Sequence, residues 1–127
     1  MTTPQLLFYV VALLIVIIYV RKSLMKRTII HYNAAEVGAK LKAKENILLL
    51  DVRTGGERSR RHIQGSAHIP LHELTGRMRE IDKFKDSEII CYCQSGNRSL
   101  SAAFALKRHG FRVANLSGGI SSWMVSE

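Results

Sequence analysis

The sequence predicts an α/β domain built on a mainly parallel central sheet and preceded by one transmembrane helix. Three observations lead there. The run Leu6–Val20 carries no charge and stands ahead of everything else. Two short, largely apolar segments, Ile47–Asp51 and Glu88–Cys93, have the length and composition of strands buried on both faces. Segments of helical spacing alternate with them, the pattern of helices packed on a parallel sheet. With 127 residues there is material for one such domain and a short appendage.

The 15 residues of Leu6–Val20 would extend about 22 Å as a helix. A bilayer core of about 30 Å asks for roughly 17–25 residues, so the flanks must contribute. Thr2, Thr3 and Gln5 are tolerable near one surface, Arg21 and Lys22 can snorkel at the other, and Tyr9 and Tyr19 sit where interfacial rings are favoured. Continuous hydrophobicity leaves no face for water and argues against a soluble helix. The lack of an early Lys or Arg and of a small-x-small site argues against a cleaved signal peptide. No Lys or Arg precedes the run, whereas Arg21, Lys22, Lys26 and Arg27 follow it. This bias places the following domain in the cytoplasm. The expected division is an anchor over 1–22, a basic linker over 23–31 and a domain over 32–127.

Ile29 and Ile30 open a small edge strand. Asn33 with Glu36 reads as a capping box, starting a helix over 34–43 with Val37 and Leu41 on one face. Ile47–Asp51 is a strand with Asp51 at its carboxyl end. Thr54-Gly55-Gly56 breaks the chain, and Glu57–His62 forms a short helix or turn. Ala67–Ile69 is a short strand ended by Pro70. Leu71, Leu74, Met78 and Ile81 recur at helical spacing, interrupted by Gly76. Glu88–Cys93 is the second strong strand, followed by a helix over 98–109 that Gly110 ends. Val113–Leu116 is the last strand, and Gly118-Gly119 turns into a final helix holding Ile120, Trp123 and Met124. Right-handed crossovers would put helices on both faces. The ligand crevice then lies at the carboxyl ends of the strands, where Asp51 and Cys93 fall.

The net charge is +9, and beyond the four juxtamembrane positives 15 Lys/Arg stand against 10 Asp/Glu. That balance suits a lipid bilayer with anionic headgroups or a small anionic substrate. It does not suit nucleic acid, for there is no zinc-finger spacing and no basic run interleaved with aromatics. The two cysteines, Cys91 and Cys93, are expected on opposite faces of one strand, which disfavours a mutual disulfide. They form no Cys-x-x-Cys pair and are too few for a thiolate metal site, so no metal is expected. Cys91 is assigned to the core.

The chemistry concentrates in Cys93-Gln94-Ser95-Gly96-Asn97-Arg98-Ser99, between a buried strand and a helix start. Amides at a helix start lack internal partners and can surround an anion, and a turn containing Gly96 adds more. A cysteine placed there sits in positive potential that favours its thiolate.

Asp51-Val52-Arg53, His62-Ile63-Gln64-Gly65-Ser66 leading to Ile69-Pro70, the Cys93–Ser99 loop, and Leu116-Ser117-Gly118-Gly119-Ile120 with Trp123 together resemble a single-domain rhodanese. The likeness spreads over about residues 30–125 in the family's order. One departure is Arg61, where the family usually has Gly. The resemblance implies a three-layer sandwich and a thiosulfate-type sulfurtransferase without metal or organic cofactor. It makes Cys93 the catalytic cysteine and Gln94, Ser95, Gly96, Asn97 and Arg98 the loop that cradles the transferred sulfur. Asp51, Arg53, Glu57 and Ser99 support the pocket. Arg98 either touches the donor or reaches back to Asp51, and Arg53 is either solvated or forked onto an acid such as Glu57. His62 and His68 are read as structural, and Arg58, Arg60 and Arg61 as a solvated charge run able to attract an anion.

The expected partners are a small anionic sulfur donor and a thiol or cyanide acceptor, with a protein persulfide partner as a further candidate. A phosphatase is disfavoured because only four residues, not five, separate Cys93 from Arg98. A membrane-tethered binding or scaffold module is the alternative, whose usual mark, loss of the cysteine, is not seen here.

Overall fold

The computed structural model describes residues 1–126, with side chains as far as Trp123, so the side chain of Met124 lies outside the described residues. In chain order the elements are α1 (Thr3–Thr28), β1 (Ile30–Tyr32), α2 (Ala34–Lys42), β2 (Ile47–Asp51), α3 (Gly55–Arg60), β3 (Ala67–His68), α4 (Leu74–Arg77), β4 (Glu88–Tyr92), α5 (Asn97–Arg108), β5 (Arg112–Leu116) and α6 (Gly119–Ser126). Short 3-10 turns flank α4.

The first helix starts at a capping box, in which the Thr2 hydroxyl and the Gln5 side chain satisfy each other's backbone N–H. It is longer than the apolar run. The residues expected as a linker are helical as far as Thr28, and the chain becomes strand two residues later. Nothing in the basic stretch breaks a helix, since Arg, Lys, Leu and Met are good helix formers. None of its 26 residues is buried. By length and composition this helix can cross a membrane.

The sheet has five strands in the order β1-β5-β4-β2-β3, all neighbours parallel. Buried side chains divide between its faces. Leu50, Val52, Ile89, Cys91, Cys93 and Val113 pack with α5, α4 and the following turn. Leu49, Ile90, Tyr92, Ala114 and Leu116 pack with α2, Ile63 and the start of α6. The result is three layers with helices on both faces, as the α/β pattern requires. Asn33 caps α2 through the expected box with Glu36. The segment after Pro70 is not one helix but a 3-10 turn, one turn of α-helix and a second 3-10 stretch. Gly76 sits in its middle, where glycine is a poor helix former.

One expectation fails here. Cys91 and Cys93 lie on the same side of the sheet, in the same apolar cluster. A pleated strand alternates with every residue, so positions two apart return to one face and it is Tyr92 that points the other way. Both cysteines are nevertheless free.

Central β4 has β5 on one side and β2 on the other. The chain leaving β2 goes to the face of Ile63, while α5, leaving β4, covers the opposite face. Adjacent strands that send their connections to opposite faces open a crevice between their carboxyl ends. Asp51 ends β2 and Cys93 directly follows β4, at those carboxyl ends.

Candidate active site

Cys93 follows β4, and its loop is shaped by what holds it from outside. The carbonyls of Cys93 and Gln94 accept from the N–H groups of Ile120 and Ser121 at the start of α6, at 2.9 and 3.3 Å. In a planar trans peptide the N–H points away from the preceding carbonyl, so anchoring the Gln94 carbonyl on α6 turns the Ser95 amide towards the sulfur. Gly96 then takes φ 109°, a conformation that suits glycine, and becomes the N-cap of α5. Its N–H lies 3.0 Å from Cys93 Sγ. The Ser99 hydroxyl lies 3.4 Å from the sulfur and 2.6 Å from Asn115 Oδ1.

Cys93 is only 1% exposed. Burial pushes its thiol up, but the Ser99 hydroxyl and the backbone N–H groups of Ser99, Gly96 and Ser95 outweigh burial and draw it below the ordinary value. Cys91 is the control. Two residues away, wholly buried and without such donors, it is pushed up to about 12, chiefly by burial. The difference between the inert and the ionisable cysteine is therefore the set of donors at the turn, the Ser99 hydroxyl first and then the amides of Ser99, Gly96 and Ser95.

Around the loop two acid–base forks hold neighbouring segments. Arg53 meets Asp51 with Nε on Oδ1 and Nη2 on Oδ2, both 3.0 Å, and its own amide adds a third bond to Oδ1. Both residues are sealed, at 2% and 0% exposure. Burial works against the Asp51 anion, but the bonds from Arg53 prevail and lower its pKa. Arg98 meets Glu57 at 2.7 and 2.8 Å, tying α5 to α3. The hydrogen bonds from Arg98 are the main reason the Glu57 carboxyl falls from 4.5 to about 2. Arg98 thus reaches Glu57 rather than Asp51. Arg53 is not solvated but forked onto an acid, and that acid is Asp51 rather than Glu57.

Arg58 also leaves the solvated run. Its Nη1 bonds to Asp51 Oδ2 at 3.3 Å and to Ser66 Oγ at 3.0 Å, and Nη2 to the Ser66 carbonyl at 2.7 Å. Arg60 and Arg61 line an open cleft of about 390 Å³ with Arg53, Glu57, Gln94 and Ile120. Arg61 stands at φ −166°, ψ 142°, extended backbone that any residue adopts, so replacing the usual glycine imposes no strain. Its carbonyl accepts from Arg53 Nη2 at 2.6 Å. His62 and His68 bond to the carbonyls of Arg58 and Arg53 and not to the loop.

A cysteine held by the amides of a strand-to-helix turn, with forked acid–base pairs on its flanks, is accompanied by a match to the family model of the rhodanese-like domain over residues 33–126. The chain belongs to the rhodanese family. Among its relatives is a sulfurtransferase of Allochromatium vinosum, 37% identical over 92 residues, covering 72% of this chain and 84% of that protein. The thiosulfate sulfurtransferase GlpE of Pseudomonas fluorescens is 32% identical over 81 residues, covering 63% and 72%. Among solved structures, a rhodanese-related protein of Thermoplasma volcanium superposes with a TM-score of 0.69 at 30% identity, over 76% of this chain and 92% of that one.

Sequence reasoning left two residues of this rhodanese loop's surroundings unnamed. Asn115 is 3% exposed and holds Ser99, while its Nδ2 meets His31 Nδ1 at 3.3 Å. A signal existed for Asn115, a polar side chain inside a short apolar strand, because a buried polar group needs a partner; His31 is partly buried on the edge strand. Which partner it finds depends on strand register, and His31 and Asn115 are direct neighbours across β1 and β5.

Proposed function

We propose that this rhodanese is a membrane-tethered sulfurtransferase that carries sulfane sulfur as a Cys93 persulfide from thiosulfate or a related anionic donor to a thiol or cyanide acceptor. The observation that carries the reading is the placement of the Cys93 sulfur against the Gly96 amide at 3.0 Å, with the Ser95 and Ser99 amides also favouring its ionised form. The naming of relatives as sulfurtransferases supports the same reading.

In the first step the thiolate attacks the outer sulfur of the donor. The new S–S bond forms, the donor's S–S bond breaks, and sulfite leaves with the electron pair. An acceptor thiolate or cyanide then attacks the terminal sulfur, and Cys93 departs as thiolate. A covalent intermediate of this kind gives ping-pong kinetics. The loop amides stabilise negative charge on sulfur before and after transfer, and loss of one well-aimed donor would cost about 3 kcal/mol of barrier. The amides close on a single sulfur atom, a size that fits persulfide better than a tetrahedral oxyanion.

Arg60 and Arg61 draw the anionic donor into the cleft beside Gln94. Because Cys93 is 1% exposed, the loop must give way slightly before sulfur meets sulfur. Arg98, held by Glu57, is a positioning residue that fixes the start of α5. The helix α1 serves as the anchor, with the basic end holding the domain on the cytoplasmic side.

Mass measurement of the intact chain after thiosulfate treatment tests the mechanism. One added sulfur is expected, removable by dithiothreitol and absent in Cys93→Ser. Retention of that sulfur in Cys93→Ser with its loss in Cys91→Ser would overturn the assignment.

A further inference from the structure

Ser99 has one hydroxyl hydrogen and two claimants for it. Its Oγ lies 2.6 Å from Asn115 Oδ1 and 3.4 Å from Cys93 Sγ. Ser99 and Asn115 are 0% and 3% exposed, so solvent water is not at hand to replace whichever bond is given up. The orientation of the Asn115 amide decides the contest, and that orientation is set from its far side. His31 Nε2 lies 3.0 Å from the carbonyl oxygen of Lys26. A carbonyl only accepts, so Nε2 carries a hydrogen, and in the neutral ring Nδ1 offers a lone pair. Asn115 turns its NH₂ to that lone pair at 3.3 Å and to the Gly96 carbonyl at 3.5 Å. Its Oδ1 therefore faces Ser99 and competes with sulfur for the hydroxyl hydrogen. At 2.6 Å against 3.4 Å it holds the larger share, and the bond from Ser99 to Cys93 Sγ is the longer and weaker of the two.

We infer that His31 and Asn115 are positioning residues that restrain the ionisation of Cys93 by drawing the Ser99 hydrogen towards Asn115 and so weakening its bond to sulfur. The backbone amides still favour the thiolate, and this side-chain relay subtracts from their effect. Protonating His31 reverses the setting. Nδ1 becomes a donor, Asn115 turns over to present Oδ1 to it, Nδ2 donates to Ser99 Oγ, and the Ser99 hydrogen swings to sulfur. One proton taken up at His31 is thereby linked to one released from Cys93. The charged and titratable groups that share a cleft with His31 are Tyr19, Lys22 and Lys26 of α1, while Asn97 and Leu100 of α5 and Asn115 of β5 are uncharged there. The end of the apolar helix thus communicates with the reactive loop through three side chains.

The inference rests on the reading of Cys93 as the reactive thiol, but its test needs no sulfur donor. The rate of Cys93 alkylation by iodoacetamide is followed against pH in the detergent-solubilised full chain, with peptide masses locating the adduct. Asn115→Ala and His31→Phe are each expected to lower the midpoint by about half to one pH unit, because each frees the Ser99 hydrogen for sulfur. In a Ser99→Ala background neither should move it. A purely structural role predicts the opposite sign, since a loosened loop aims its amides worse. An unchanged or raised midpoint, or an equal drop without Ser99, would overturn the relay. Should Asn115→Ala fail to fold, His31→Phe on the partly exposed edge strand carries the test. A lowered midpoint in a chain that takes no sulfur from thiosulfate would sink the sulfur-transfer reading and leave the relay standing.

Discussion

Arg53 and Arg98 show how much a single side chain depends on who is nearest in space. Each finds an acid in the same small region, and Glu57 goes to the arginine 41 residues away, not to Arg53 four residues before it. The two pairs differ in worth. Asp51–Arg53 is sealed, so Asp51→Ala leaves a buried guanidinium without its partner and should cost about 3–5 kcal/mol. Glu57–Arg98 is partly solvated, with 28% and 38% of the side chains exposed, so Glu57→Gln should cost about 1–2 kcal/mol at neutral pH. Glu57 is depressed from 4.5 to about 2. Its stabilisation is therefore complete above pH 4.5 and disappears as pH falls towards 2. Urea unfolding of both proteins in detergent, followed by Trp123 fluorescence, should show the gap between wild type and Glu57→Gln closing across that window. A gap that stays constant to pH 2 would mean the ion pair contributes nothing.

At the scale of elements, the Cys93 loop is a product of its neighbours. Gly119 stands at φ 59°, and a Cβ there would run into the Cys93 carbonyl oxygen and come within 2.6 Å of Gln94 backbone atoms. These are the groups that α6 must approach to hold the loop carbonyls. Gly119→Ala adds a left-handed penalty of about 1–2 kcal/mol to that collision. We expect it to lower stability by about 2–4 kcal/mol and to raise the pH at which Cys93 is alkylated, without touching the cysteine. A variant with normal thiol reactivity would show that α6 does not shape the turn. The strand Ile47–Asp51 and the α2 capping box were legible because they follow from local pattern and local hydrogen bonding, while β3, β4 and β5 each differ from expectation by a residue at one end. The 3-10 character around α4 was not, because period and composition do not separate a tight helix from a regular one. The side shared by Cys91 and Cys93 follows from the pleat alone and was misjudged.

For the whole molecule, the apolar helix and the sheet domain make separate demands. No residue of α1 is buried, and Leu6, Phe8, Leu13, Ile15 and Ile18 are exposed; water is a poor solvent for such a surface. The expected outcome is that the full chain sediments with membranes, resists alkaline carbonate and is released by detergent. Recovery in the soluble fraction without detergent would refute the anchor. Hydrogen bonds tie the domain to the end of that helix: Lys107 Nζ on the Thr28 carbonyl at 2.7 Å and His31 on that of Lys26.

From the chain of letters alone came the α/β layering, the parallel sheet, the strand ends that carry Asp51 and Cys93, and the candidate loop from Cys93 to Arg98. These follow from hydrophobic period, turn chemistry and short-range spacing, which act between residues close in sequence. Only the tertiary structure decided which acid each arginine meets, that Arg58 turns inward, and that Asn115 and His31 stand behind Ser99. Those outcomes depend on strand register and on which helix comes to rest against which loop, and such distances are settled by packing the whole domain at once.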